Sequence, residues 1–159
     1  MTVAAVLLAA GRSSRFGATD KLLAPFCDAP LVSFAARAVT GAATDHRIAV
    51  VASTAVAEAL PSFHLVRPSH DTCAHSKSLA AGVRAAVQSG ANRVVVVLAD
   101  MPLVTSDMIR AVIARSQAHQ ASAAWDGSSL LPPACFHASM FGRLMTLSGD
   151  SGARAVLRN

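Results

Sequence analysis

Val3-Ala4-Ala5-Val6-Leu7-Leu8-Ala9-Ala10-Gly11-Arg12-Ser13-Ser14-Arg15-Phe16-Gly17-Ala18-Thr19-Asp20-Lys21 is the stretch that decides the fold of this 159-residue chain. An apolar run stops at Gly11, and a polar loop follows with Arg12, Arg15 and Lys21. A continuous apolar run predicts a strand buried on both faces over 3–9. A strand of that kind, feeding a loop opened by glycine, can offer backbone N–H groups and cations to a phosphate. Spacing excludes two better-known phosphate loops. After Gly11 the chain reads Arg-Ser-Ser-Arg-Phe-Gly, so there is no G-x-G-x-x-G. Lys21 neither directly follows a glycine nor precedes Ser or Thr, so this is not a Walker A loop. The plainer alternative is a strand–helix turn with solvated Arg and Lys.

Working outward, strand and helix patterns alternate. Pro30 opens a predicted helix over 31–42 that places Leu31, Phe34, Ala35, Ala38 and Val39 on one face. A second strand is predicted over 47–52, then a short helix capped by Ser53 or Thr54 and ending before Pro61. A third strand is predicted over 63–66, and a helix from Ser78 to Ser89 with Gly90 as its stop. Arg93-Val94-Val95-Val96-Val97-Leu98-Ala99 carries the strongest strand pattern, and Thr105 caps a helix expected to run to about His119. Beyond it, 121–125 reads as a strand, Phe136 to Leu147 as helical, and Gly152 to Leu157 as the start of another helix. This β-α-β-α-β-α-β-α series predicts an α/β fold, Rossmann-like and three-layered, with a mostly parallel central sheet. Its crossovers are expected to be right-handed.

Composition narrows the function. At 53% hydrophobic and 14% charged residues, the chain has the makings of one packed domain over 1–159. No apolar run is long enough for a membrane span, because Arg12 and Asp100 interrupt the two best ones. The start lacks a basic segment before its apolar run, so no leader peptide is expected and a cytoplasmic location is. Cys27, Cys73 and Cys135 have no metal-ligand spacing and read as reduced thiols. The formal net charge of +5 is scattered, and with six Phe, one Trp and no Tyr there is no stacking platform for nucleic acid. A polyanionic small molecule fits the basic loop better. His70 and His75 lie near Asp71 and Cys73, but their spacing matches no common zinc site.

The second chemical motif is Leu98-Ala99-Asp100-Met101-Pro102, directly after the strongest strand. It aims Asp100 toward the crevice reached by the opening loop, at the carboxyl ends of the strands. A hard divalent cation binds through one or two carboxylates plus substrate phosphates, which makes Asp100 the candidate metal ligand. A turn or helix-capping Asp is the alternative. The third motif is Leu147-Ser148-Gly149-Asp150-Ser151-Gly152-Ala153-Arg154, two glycines flanking a turn from which a helix can start. Arg154 could then meet an acceptor phosphate, or stay solvated beside a cap made by Asp150. Cys135 beside Pro133 reads as a small buried hydrophobe, since no His is paired with it.

Taken together, L-A-A-G-x-x-x-R-x-G-x-x-x-K, D-M-P and L-x-G-D-x-G-A-R resemble the MobA-like nucleotidyltransferases, most closely the molybdenum cofactor cytidylyltransferases. The resemblance spans essentially the whole chain. It implies CMP transfer from CTP to molybdopterin-bound molybdenum, with release of pyrophosphate. It implies Mg²⁺, or Mn²⁺, at Asp100. Arg15, Lys21 and Asp100 take the catalytic roles, and Leu8, Ala9, Ala10, Gly11, Arg12 and Ser13 the nucleotide-binding ones. Ser78, with Ser76 second, corresponds to the segment that touches the base; N-capping of the helix is the alternative for both, and the two roles are compatible. Pro133, Asp150 and Arg154 correspond to the acceptor side. Implied partners are CTP, a molybdopterin-type acceptor, and a molybdoenzyme or its maturation chaperone. Ala10 before Gly11 resembles the cytidylyl rather than the guanylyl type. Two departures stand out. Ala74 occupies a place where the family commonly has Gly, and the sequence lacks the family's usual C-terminal acidic segment. GTP-dependent transfer, a sugar- or polyol-phosphate acceptor, and a non-catalytic nucleotide or cofactor binder are the rival readings.

Overall fold

The computed structural model describes residues 1–11, 20–68, 74–149 and 152–157. Its centre is a six-stranded sheet. The strands are β1 (Val3–Ala9), β4 (His46–Val51), β5 (His64–Val66), β6 (Arg93–Leu98), β7 (Ala121–Trp125) and β8 (Leu130–His137). A two-residue hairpin, β2 (Pro25–Phe26) with β3 (Ala29–Pro30), stands apart. The helices are α1 (Leu31–Gly41), α2 (Thr54–Glu58), α3 (His75–Gln88), α4 (Ser106–Arg115), α5 (Phe141–Met145) and α6 (Arg154–Leu157). Sheet order is β5-β4-β1-β6-β8-β7. The first four strands run parallel, and β8 and β7 are antiparallel additions at one edge. This is the α/β, mostly parallel architecture that the alternating pattern predicts.

β1 shows why the core forms on both faces. Successive side chains alternate between faces, and all seven β1 residues are buried. Val3, Ala5, Leu7 and Ala9 pack with α1, α2 and α4. Ala4, Val6 and Leu8 pack with α3 and α5. Gly82 lets α3 lie close to the sheet. A Cβ there would stand 2.4 Å from Val6 Cγ1 and 3.1 Å from Val50 Cγ2.

Three sequence expectations are corrected. Phe136 and His137 belong to β8, not to a helix over Phe136–Leu147; only Phe141–Met145 is α-helical there. Pairing explains it: Phe136 lies opposite Val94 and Cys135 opposite Val95, with both side chains fully buried. Helix α3 starts at His75, three residues earlier than expected, with Ala74 as N-cap and no side-chain capping bond. Ser76 and Ser78 are therefore inside the helix and do not cap it. Helix α4 stops at Arg115, where the buried Ser116 hydroxyl donates back to Ile113 O at 2.7 Å. Other expected caps are present. Ser53 Oγ accepts from Val56 N, Thr105 Oγ1 accepts from Met108 N, and Gly90 follows α3 with φ +79°.

Candidate active site

β1 lies between β4 and β6, and the chain reverses its direction of travel across the sheet there. In open α/β sheets such a switch point leaves a crevice at the carboxyl ends of the strands. Ala9 and Ala10 are buried at the end of β1, and Gly11 is exposed beyond them. A Cβ on Gly11 would meet nothing within 4 Å among the described residues, and its φ is not positive. The ladder runs on past β6, since Ala99 N donates to Leu8 O at 3.1 Å.

Asp100 follows immediately and is exposed. Its Oδ2 accepts from Lys21 Nζ at 3.1 Å, across 79 residues of sequence. Both side chains are about two-fifths exposed, at 42% and 43%. An ion pair that accessible to water contributes at most about 1 kcal/mol to stability. The fold does not need the pair, so its position at the crevice is the more telling property.

Lys21 is held by a device that pattern reading missed. Asp20 caps a short 3-10 turn, Lys21–Leu23, accepting from Leu22 N at 3.0 Å through Oδ1. Its other oxygen accepts from Ser53 Oγ at 3.4 Å, tying the turn to the start of α2. The Asp-before-Lys order is visible in the sequence, but Ser53 is distant along it. Arg12, Ser13, Arg15 and Asp150 lie outside the described residues.

The opposite side of the crevice is apolar. A cavity of about 310 Å³ is walled chiefly by Leu8, Leu98, Leu131, Pro132 and Leu157, with His75 and Arg154 also lining it. Four separate segments supply the apolar wall and a fifth, α3, supplies His75; Leu8 and Arg154 belong to motifs read in the sequence, but the meeting of the segments does not. His75 Cδ2 would lie 3.4 Å from a Cβ placed on Gly152, which shows how closely the α3 start meets the chain before α6. Arg154 Nε donates to Leu130 O at 2.8 Å and fixes the start of β8. Near it, Asp126 accepts from the backbone N–H groups of Ser128 and Ser129 at 2.8 and 2.7 Å. Those bonds hold the Asp126 carboxyl below the usual carboxylate range, with a smaller pull from the Arg154 charge.

The remaining expected residues divide. Ser76 and Ser78 are buried, at 1% and 6% exposure. Ser76 Oγ donates to Gly149 O at 2.7 Å, which binds α3 to the glycine-flanked turn. Pro133 is buried within β8, and its neighbour Pro132 faces the cavity. Cys135 is fully buried, as expected of a small hydrophobe. Burial pushes its thiol up from the ordinary range, against smaller opposing effects of Ser116 and Arg93. Among the described residues no group of three or more His, Cys, Asp or Glu side chains could hold a metal ion. No described helix is long and apolar enough to cross a membrane.

Known proteins share this fold. Purine catabolism protein PucB of Bacillus subtilis (strain 168) is 31% identical over 168 residues, covering 97% of this chain and 80% of that protein. The crystal structure of Rv0371c from Mycobacterium tuberculosis H37Rv superposes with a TM-score of 0.87 at 27% identity, over 100% of this chain and 84% of that one. Rv0371c has also been solved in complex with manganese; that structure gives a TM-score of 0.80 at 24% identity, over 100% and 83% of the two chains. A nucleotidyl transferase from Methanothermobacter thermautotroptrophicus, Mth528, gives 0.81 at 26% identity, over 98% and 80%. Residues 5–159 match the family described as the MobA-like NTP transferase domain, and the chain belongs to that nucleotidyltransferase family.

Proposed function

We propose that the chain transfers CMP from CTP to a molybdopterin-type acceptor and releases pyrophosphate. The observation that carries the reading is the meeting of Lys21 and Asp100 at 3.1 Å, at the carboxyl ends of adjacent strands. In this reaction an acceptor oxygen attacks the α-phosphorus, the bond to the β-phosphate oxygen breaks, and pyrophosphate leaves with the bonding pair. The protein needs no nucleophile of its own. Positioning and charge neutralisation supply the catalysis.

Each group has a role in that scheme. The backbone of Leu8, Ala9, Ala10 and Gly11 approaches the nucleotide, and Arg12, Ser13 and Arg15 continue the phosphate loop. Lys21 neutralises charge gathering on the departing pyrophosphate. Asp100 suits a hard divalent cation, Mg²⁺ or Mn²⁺, because it offers exposed carboxylate oxygens where the phosphates would lie. Such a cation supplies Lewis-acid stabilisation of the phosphoryl oxygens. When ligand enters, Lys21 exchanges its carboxylate partner for phosphate oxygens, so the ion pair acts as a placeholder. The apolar cavity offers flat surface for a heteroaromatic ring, and Arg154 lines it on the side assigned to the acceptor, a role that the family resemblance also gives Asp150. Ser76 then acts from beneath the base by tying the start of α3 to Gly149, and the buried Ser78 lies at the same start. Hand-over of the product to a molybdoenzyme or its maturation chaperone, in the cytoplasm, completes the reading.

A thermal-shift screen with CTP, GTP, ATP and UTP, each with Mg²⁺, tests nucleotide choice. CTP should stabilise most, by roughly 2.7 kcal/mol at a hundredfold excess over its Kd. A larger shift with GTP would transfer the reading to guanylyl transfer. Pyrophosphate release that depends on added molybdopterin tests the acceptor.

A further inference from the structure

We propose that the groove between β5 and α3, outside the reaction crevice, docks an acidic, extended segment of a partner polypeptide. The groove has a volume of about 640 Å³ and adjoins a second hollow of about 440 Å³, with which it shares His64, Ala85 and Gln88. Together they follow one edge of the sheet from the α3 start down to the amino end of β4.

Charge is the first reason. Arg67, Lys77 and Arg84 line the larger hollow, and Arg47 the smaller. The one acid among the described lining residues is Asp45, and it accepts from Val3 N at 2.7 Å. Lys77 and Arg84 are exposed and lie two helical turns apart on one face of α3. Arg67 is committed in part to its own chain, donating to Ala52 O and Thr54 Oγ1 at 3.3 Å each. Lys77 and Arg84 are therefore the cations best placed for a partner.

The strand edge is the second reason. β5 ends the sheet order and pairs with β4 alone among the described strands, so its outer N–H and C=O groups face away from the sheet. An unpaired edge is a template for an added strand, and alternate side chains of that strand reach the neighbouring hollow. An extended segment placed there would project every second side chain toward Lys77 and Arg84. Acidic residues at those positions complement the groove. A nucleic acid fits less well, because no Phe or Trp lines either hollow among the described residues, and single strands bind by stacking as well as charge.

The test uses a fluorescein-labelled synthetic peptide alternating Glu and Val, with a Lys/Val peptide and a single-stranded oligonucleotide as rivals. The acidic peptide should bind saturably and weaken as salt is raised. Arg84→Glu and Lys77→Glu should each weaken it by about tenfold or more, since a reversed charge turns attraction into repulsion. Hydrogen exchange at the outward β5 amides should slow when peptide binds. Pyrophosphate release and melting temperature of Arg84→Glu should match the parent, which separates failure of the docking surface from failure of the catalytic reading. Absence of binding, equal binding of the Lys/Val peptide, unchanged affinity in Arg84→Glu, unprotected β5 amides, or tighter binding of the oligonucleotide would each overturn the proposal.

Discussion

The two sides of the crevice are built on opposite principles. On one side Lys21 and Asp100 face each other across water-accessible space. On the other, leucines from β1, β6, β8 and α6 wall a cavity in which His75 and Arg154 are the polar exceptions. The charged side rests on two residues, each at a fixed offset from a strand end. The apolar side rests on four segments brought together by the sheet. Each side suits one part of a nucleotidyl transfer: charge for the phosphates, flat apolar surface for a ring. The charged side should fail abruptly when one group is changed, and the apolar side gradually.

Asp100→Asn gives the largest expected effect. Shape and volume hardly change, and the ion pair it removes is worth little to the fold. Turnover should still fall about a hundredfold or more, since metal stabilisation of the phosphoryl charge is worth several kcal/mol and each 1.36 kcal/mol is a factor of ten. Pyrophosphate release and melting temperature measured on the same samples check this. Near-normal turnover would reduce Asp100 to a turn residue and break the contrast.

Next comes Lys21→Ala. If the ammonium meets the leaving pyrophosphate, affinity for CTP should drop about tenfold while affinity for CMP changes little. Calorimetric titration with the two ligands reads the difference, and equal losses would move Lys21 away from the β- and γ-phosphates.

Gly82→Ala probes the scaffold under both sides. The added methyl would press on Val6 and Val50. Overpacking of this kind costs about 1–3 kcal/mol. Chemical denaturation should show that loss, with CTP affinity of the folded protein unchanged. Unaltered stability would mean that α3 can lift from β1 freely.

On the apolar side, Arg154→Ala should raise the acceptor KM only a few-fold, about the worth of one exposed hydrogen bond, and leave CTP affinity alone. The smallest effect concerns acid. The Asp126 carboxyl is held low by the N–H groups of Ser128 and Ser129. Its contribution to the β7–β8 turn is therefore present above the ordinary carboxylate range and lost as pH falls through its lowered value. Exchange of the Ser128 and Ser129 amides should quicken over that acid range and not above it.

What could be read from the chain follows the same division. The two central parallel strands were legible because each carries a continuous apolar run closed by a chemical signal: Gly11 after β1, Asp100 after β6. The charged side inherited that legibility. The end of β8 was not legible, because the strand character of Phe136 and His137 comes from pairing with β6 rather than from their own pattern. The α3 start was misjudged for a similar reason. Ser76 looks like a cap locally, yet its hydroxyl is taken by Gly149, 73 residues away. Asp20 escaped notice because its second partner, Ser53, is 33 residues away. The apolar cavity is entirely a product of tertiary packing.

The most direct test is a backbone-amide NMR titration of the full chain with CTP and Mg²⁺. Signals of Ala10, Gly11, Lys21 and Asp100 should move together and saturate with one affinity, while Asn92, Arg93 and His137, at the other end of the strands, stay still. Shifts confined to that other end, or to the basic groove along β5, with the Lys21 and Asp100 signals unmoved, would contradict the placement of nucleotide transfer at the crevice.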